Sequence, residues 1–235
     1  MREISDYTIE AWFPTSIYVS DNVCDHLLED LETKSKEIHQ KYPTSRDGYL
    51  NVDSSHLSTL FLYREYPFDE LKEYILIHAH QFLDKLGVHY VKLTPRNMWV
   101  NISDKGDYNF PHSHSGFTIS GAFYIKANPG NKIIFYNDAY ISKNMLAPST
   151  ISPLSQGTCN YECKTGRLLL FPSNLMHGNP IQDFEGEKIV VSFNLILDSE
   201  HLSKQDEEEY RNSHFNKKET KEKKVFEYYQ VTDGL

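Results

Sequence analysis

Residues 97–125 read NMWVNISDKGDYNFPHSHSGFTISGAFYI. Two β-prone runs, Asn97–Ile102 and Phe117–Ile125, flank a turn at Lys105-Gly106-Asp107 and the segment Asn109-Phe110-Pro111-His112-Ser113-His114. Aromatic and β-branched residues suit a pleated, half-buried surface, and Gly, Asp and Asn supply the turns between runs. The same texture continues on both sides. His89–Leu93 precedes the stretch, and Lys132–Tyr136, Gly157–Tyr161, Arg167–Phe171 and Lys188–Leu197 follow it. The later turns carry Asn128-Pro129-Gly130-Asn131 and Glu185-Gly186-Glu187. Seven short runs at this spacing predict a sandwich or a double-sheet jelly roll over about residues 89–198. The high content of 16 Tyr and 13 Phe points the same way.

Upstream the period changes from two to that of a helix. Val23, Leu27, Leu28, Leu31 and Ile38 recur at helical spacing between Asp21 or Asn22, as cap, and Lys41. Pro43 ends that pattern, and the polar run Thr44-Ser45-Arg46-Asp47-Gly48 reads as a loop. A second helix is predicted from Pro67 to Lys85, with Leu71, Ile75, Ile77, Phe82 and Leu86 as its apolar stripe and Gly87 as its stop. The fold class is therefore mainly β (α+β), with N-terminal helices (about 20–87) packed on the outer face of one sheet. Residues 1–198 form one domain in this reading. The remainder, 199–235, is a charged C-terminal extension: residues 200–224 carry seven acidic and seven basic side chains, and only Leu202, Tyr210 and Phe215 are large and apolar.

Composition narrows the function. There are 24 Lys+Arg against 33 Asp+Glu, a formal charge of −9, with a pI near 5.6. That balance argues against a protein that coats nucleic-acid phosphates. No apolar run approaches the roughly 18 residues of a membrane span. The segment Met1–Asp6 lacks the basic-then-apolar layout of a signal peptide, and three Cys make no disulfide framework, so a cytoplasmic location is expected. Cys159 and Cys163 have no second cysteine pair and read as ordinary thiols.

Three of the eleven histidines stand out. His112 and His114 are two apart on an extended segment, so both rings point the same way, which is the convergence a metal site needs. His177, in Leu170-Phe171-Pro172-Ser173-Asn174-Leu175-Met176-His177, follows another β run and completes a set of three if distant strands lie side by side. His78 and His80, two apart on a helix, face different directions. His26, His39, His201 and His214 read as surface residues. Lys188 enters an otherwise apolar strand, where its ammonium is costly to bury without an anion. Residues 188, 190 and 192 share a face, so Lys188 and Ser192 together make a carboxylate anchor if that face is the interior.

Taken in order, Trp99-x-Asn101, Gly106, Asn109, His112-x-His114, Ser120-Gly121-Ala122-Phe123-Tyr124, Phe171-Pro172-Ser173 with His177, and Ser192-Phe193-Asn194 resemble the 2-oxoglutarate/iron(II) oxygenases common in phages and marine bacteria. These are similar to the prolyl-hydroxylase-like dioxygenases. The resemblance spans roughly residues 10–197. It implies a double-stranded β-helix core that binds Fe(II) and 2-oxoglutarate at its strand ends. It further implies hydroxylation of a substrate by O2 with release of succinate and CO2, the substrate being a small molecule or a protein side chain.

Two positions depart from the wider pattern. His114 stands where a carboxylate is usual, so the third ligand is either His114 or a carboxylate such as Asp138 or Asp107. Lys188 and Val190 stand where Arg and Ser are usual, which keeps a point charge but loses a bidentate fork. The resemblance also implies Asn101 and Asn109 as polar supports for the cosubstrate. Two other classes stay open: a cupin-like metal-binding protein or dioxygenase that does not use 2-oxoglutarate, and an interaction protein whose contact is the charged tail. No nucleic-acid or membrane partner is expected, and a homodimer is left open.

Overall fold

The structure, a computed structural model, describes residues 14–41, 56–57, 61–88, 92–137, 157–183 and 185–198. The expected loop Thr44–Gly48, Asp138 and the charged extension lie outside the described residues.

A six-stranded antiparallel sheet runs in the order β1 (Tyr18–Ser20), β8 (Leu168–Pro172), β5 (Ile119–Lys126), β10 (Lys188–Asp198), β3 (Lys92–Ser103), β2 (His56–Leu57). A four-stranded antiparallel sheet runs β4 (Asn109–His112), β9 (Met176–Asn179), β6 (Lys132–Tyr136), β7 (Thr158–Glu162). Two helices, α1 (Leu28–Lys41) and α2 (Phe68–Lys85), belong to the first sheet's side. Among the described residues no helix is long and apolar enough to cross a membrane.

Strand alternation divides the large sheet into two faces. Ile189, Val191, Phe193 and Leu195 of β10 bury themselves with Met98, Val100 and Ile102 of β3 against Leu31, Leu71, Ile75 and Phe82 of the helices. The intervening residues, such as Ala122, Tyr124, Leu169 and Val190, pack instead against Ile133 and Phe135 of the small sheet. The predicted placement of the helices on one outer face is the observed one. The two sheets face each other across a second, smaller core.

Helix and strand bounds differ from the sequence reading in instructive places. Asn22 and Cys24 take left-handed conformations (φ 59° and 47°), so the chain makes a short 3-10 turn at Asp25–Leu27 before α1 begins at Leu28. In α2, Leu71, Ile75 and Phe82 are buried as expected, but Ile77 is only half-buried and Leu86 is exposed. Phe68, Ala79 and Leu83 complete the stripe instead. Gly87 does stop the helix: at φ +67° it lets the Val88 amide reach back to the Leu83 carbonyl (3.0 Å). The runs expected at His89–Leu93 and Asn97–Ile102 merge into one strand from Lys92. Pro95, which has no amide hydrogen, sits at a register shift where Leu195 pairs with Pro95 and Asn194 with Asn97.

Strands β4 and β9 were not anticipated. Their sequences, Asn-Phe-Pro-His and Met-His-Gly-Asn, hold turn-type residues with no β signal. Pairing makes them strands, and Gly178 permits the pairing: a Cβ there would sit 2.7 Å from the Asn109 carbonyl oxygen.

Candidate metal centre

The site lies where β4 and β9 meet. His112 and His177 are direct register partners across this pair, and His114 follows two residues after His112. The ring centroids are 4.5 Å apart for His112 and His177, 5.1 Å for His112 and His114, and 5.2 Å for His114 and His177. One nitrogen from each ring falls within 4.8 Å of the other two. Three side chains spread over 65 residues of sequence thus converge on one point.

The tautomers are set by what the far nitrogens touch. His112 Nδ1 donates to the Phe110 carbonyl (2.7 Å), and His177 Nδ1 donates to the Leu175 carbonyl (2.8 Å). Each contact spans two residues, and each leaves Nε2 as a lone pair turned to the cluster. His114 Nε2 is buried without a hydrogen-bond partner. Trp99 stacks on the His114 ring (5.8 Å, 18° between planes), and Phe171 meets His177 edge-on (4.7 Å).

Burial dominates the electrostatics. It lowers the His112 pKa, partly opposed by the hydrogen bond to Phe110. It brings His114 down to about 4, aided by the neighbouring His112 and opposed by a hydrogen bond with Asn194. It brings His177 down to about 3, again aided by His112. All three rings are therefore neutral at pH 7, the form that ligates metal.

The cluster opens onto a cleft between the sheets, about 640 Å³ with its mouth included. Lys188 lines this cleft and is 4% exposed. None of the ion pairs among the described residues involves it. Burial lowers its pKa, opposed by the more distant Cys163 and Asp107. Ser192 and Asn101, two register positions apart on adjacent strands, are joined by a 3.0 Å bond from Asn101 Nδ2 to Ser192 Oγ. Asn109 accepts from Asn179 Nδ2 at 3.1 Å. All four residues named with the cosubstrate thus line the same cleft as the histidines. Asp107 does not join the histidines: its carboxylate accepts the Asp104 amide (2.8 Å) in the turn 104–107.

Of the aromatics the sequence offers as cavity lining, Trp99 and Tyr124 line the cleft and Phe123 faces the helical core; the Tyr124 hydroxyl bonds the Cys163 thiol. One feature escaped the sequence reading. Beneath His114 runs a buried polar chain through Asn97, Asn194, Ser120 and Ser173. Strand alternation was the usable signal, since 188, 190, 192 and 194 share a face, as do 120, 122 and 124.

Comparison with known proteins agrees with this geometry. Residues 97–194, which hold all three histidines and Lys188, match the family described as "Putative 2OG-Fe(II) oxygenase". Among curated proteins none matches the sequence. Many solved structures share the fold, three of them as follows. The epimerase SnoN from nogalamycin biosynthesis, a non-heme α-ketoglutarate-dependent enzyme, is 8% identical, with a TM-score of 0.57 over 77% of this chain and 78% of its own. HygX from Streptomyces hygroscopicus, solved with nickel, 2-oxoglutarate and hygromycin B, is 13% identical, with a TM-score of 0.55 over 77% and 82%. A prolyl-4-hydroxylase from Pseudomonas putida is 11% identical, with a TM-score of 0.53 over 77% and 92%.

Proposed function

We propose that this chain, a 2OG-Fe(II) oxygenase in its residues 97–194, is a 2-oxoglutarate-dependent hydroxylase with a jelly-roll (double-stranded β-helix) core. His112, His114 and His177 hold Fe(II), and Lys188, Ser192, Asn101 and Asn109 receive 2-oxoglutarate. One observation carries the reading: three neutral imidazoles converge in the same cleft as a buried ammonium that makes no ion pair among the described residues.

The donor set fits the metal. The buried Nε2 of His114, which has no hydrogen-bond partner among the described residues, is the kind of atom that a bound ion satisfies. Three imidazole nitrogens suit Fe(II), and none of them must lose a proton at pH 7 to bind it. Charge favours the cosubstrate. Neutral ligands leave both positive charges of a divalent ion uncompensated, and Lys188 adds a third, so a dianion such as 2-oxoglutarate belongs in this cleft. Loaded with iron, 2-oxoglutarate and O2, the centre supplies the oxidising power to hydroxylate a C–H bond, with succinate and CO2 released.

The chain's own residues position and exclude. Phe110 and Leu175 carbonyls hold two rings in the ligating tautomer. Lys188 offers its ammonium to the far carboxylate as a point charge, and the Asn101–Ser192 pair presents polar atoms beside it. Trp99 and Phe171 wall the rings off from water. The alternative is a cupin-like metal-binding protein or dioxygenase without 2-oxoglutarate, and the third histidine in a carboxylate's place favours it.

Anaerobic titration with Fe(II) and then 2-oxoglutarate tests the proposal through the visible charge-transfer band of the chelate. The band should appear with wild type and vanish in His177→Ala. Iron uptake with no band establishes the cupin-like alternative, and no iron uptake sinks both.

A further inference from the structure

Lys188 is the first residue of β10, and only one neighbouring strand pairs with it there. Towards β3 it pairs with Ser103, but towards β5 the ladder ends at Ile189 and slips between Ile189 and Val190. A strand start paired on one side resists rotation poorly, and successive residues of a strand face opposite sides. A shift of one residue would carry the ammonium from the cleft, where it is 4% exposed, to the outer face of the sheet.

Side chains hold the residue before it. Glu187 Oε2 lies 3.2 Å from Lys36 Nζ and 3.4 Å from Lys126 Nζ. Glu32 Oε1 meets the same two ammonium groups at 2.7 Å and 3.0 Å. Two anions and two cations thus alternate around a closed ring, which ties α1 (Glu32, Lys36) and the end of β5 (Lys126) to the residue before Lys188. The four side chains are 32–39% exposed, so a single pair among them contributes little, and the restraint comes from the closed ring. The backbone is fixed as well. The Glu187 carbonyl accepts from Asn128 Nδ2 at 3.1 Å, and the Gly186 carbonyl accepts from Gln182 Nε2 at 2.9 Å. Gly186 (φ +100°) leaves room for this, since a Cβ there would sit 3.2 Å from Asn128 Nδ2.

We propose that Glu187 is the positioning residue for the Lys188 ammonium: held to α1 on the helical side of the sheet, it turns Lys188 to the opposite face, into the cleft. The assignment rests on the oxygenase reading above, in which Lys188 receives the far carboxylate of 2-oxoglutarate. Ile189 and Val190 continue the alternation, the first in the helix-facing core and the second lining the cleft. The ring joins α1 on the helical side, whereas the histidines line the cleft, so it bears on the cosubstrate and not on the metal.

Anaerobic titration of the full chain tests it, with Fe(II) uptake and the chelate band read separately. Glu187→Gln should need about 3- to 10-fold more 2-oxoglutarate to reach half of the band, with Fe(II) affinity unchanged. Lys36→Met should act in the same direction, and the double variant should fall short of the product of the two effects, because both open one ring. Lys34→Met removes a pair with Glu37 (3.1 Å) on the same helix but outside the ring, and should change nothing. In about 1 M salt the gap between wild type and Glu187→Gln should close. In the metal-free protein, amide hydrogen exchange over residues 186–190 should quicken in Glu187→Gln and not in Lys34→Met. A Glu187→Gln protein with wild-type demand for 2-oxoglutarate, or one that loses Fe(II) affinity in proportion, overturns the proposal. So does unchanged exchange over residues 186–190. Wild type that takes up iron but forms no band overturns the oxygenase reading and this proposal with it. A wild-type band that Glu187→Gln leaves untouched overturns only the proposal.

Discussion

The two sheets of this protein do opposite work with opposite sequences. The six-stranded sheet is built from long apolar strands such as Leu168–Pro172 and Lys188–Asp198, and its outer face is closed by helices. The four-stranded sheet carries two of the histidines on strands of four residues that contain Pro, Gly and Asn. The large sheet stands by burying hydrocarbon. The small one stands on pairing and close backbone approach, which frees its side chains for ligation. Stability and chemistry should thus be separable by mutation.

The sharpest break is His177→Ala. It should abolish metal binding while leaving the helix-facing core, and hence the far-ultraviolet circular dichroism, unchanged. Loss of the fold instead would show that the centre is structural. Leu170→Ala is the mirror test on the large sheet, since this residue is fully buried against the helical side. It should cost about 2–5 kcal/mol in urea unfolding and leave Fe(II) stoichiometry intact in the molecules that remain folded.

Gly178→Ala probes the boundary between the two regimes. The added methyl would press on the Asn109 carbonyl and Pro111, forcing β4 away from β9 and parting His112 from His177. Metal affinity should fall markedly, with about 1–3 kcal/mol of stability lost to overpacking. An unchanged affinity would mean that the pairing does not set the ligand geometry.

Acid sharpens the comparison further. The three site imidazoles have pKa values below the ordinary 6.5 because burial disfavours their charged forms. The unfolded chain therefore binds more protons than the folded one below about pH 6.5. The metal-free protein keeps this stability above that pH and loses it progressively as pH falls toward the folded values. Urea midpoints at pH 7.5 and 5 should differ more for wild type than for His177→Ala, where one lowered group is gone.

The smallest effect belongs to Lys188→Met. It removes a buried ammonium that makes no ion pair among the described residues. The metal-free protein should gain slightly in urea midpoint, while the 2-oxoglutarate concentration needed to form the chelate band rises steeply. A midpoint that falls would mean that Lys188 has a partner within the protein.

Sequence periodicity was sufficient for the four long strands of the large sheet and for both helices, because burial of a face imposes a period of two or 3.6 on apolar residues. It was not sufficient for the edge strands β1 and β2. Leu71, Ile75 and the alternation Ile189, Val191, Phe193, Leu195 needed no structure to be placed. Composition and spacing likewise singled out His112, His114, His177 and Lys188, because imidazoles two apart on an extended chain and a lysine in an apolar strand are uncommon without a reason. Tertiary structure alone decided the rest. Strands β4 and β9 carry no β signal of their own, since their pairing depends on a glycine that lets one backbone lie against another. The merging of two runs across Pro95 depended on β10 accepting a bulge. The placement of His114 was invisible for the same reason: its main-chain amide bonds the carbonyl of Ser173, 59 positions away, and no local pattern records a contact that only tertiary packing creates.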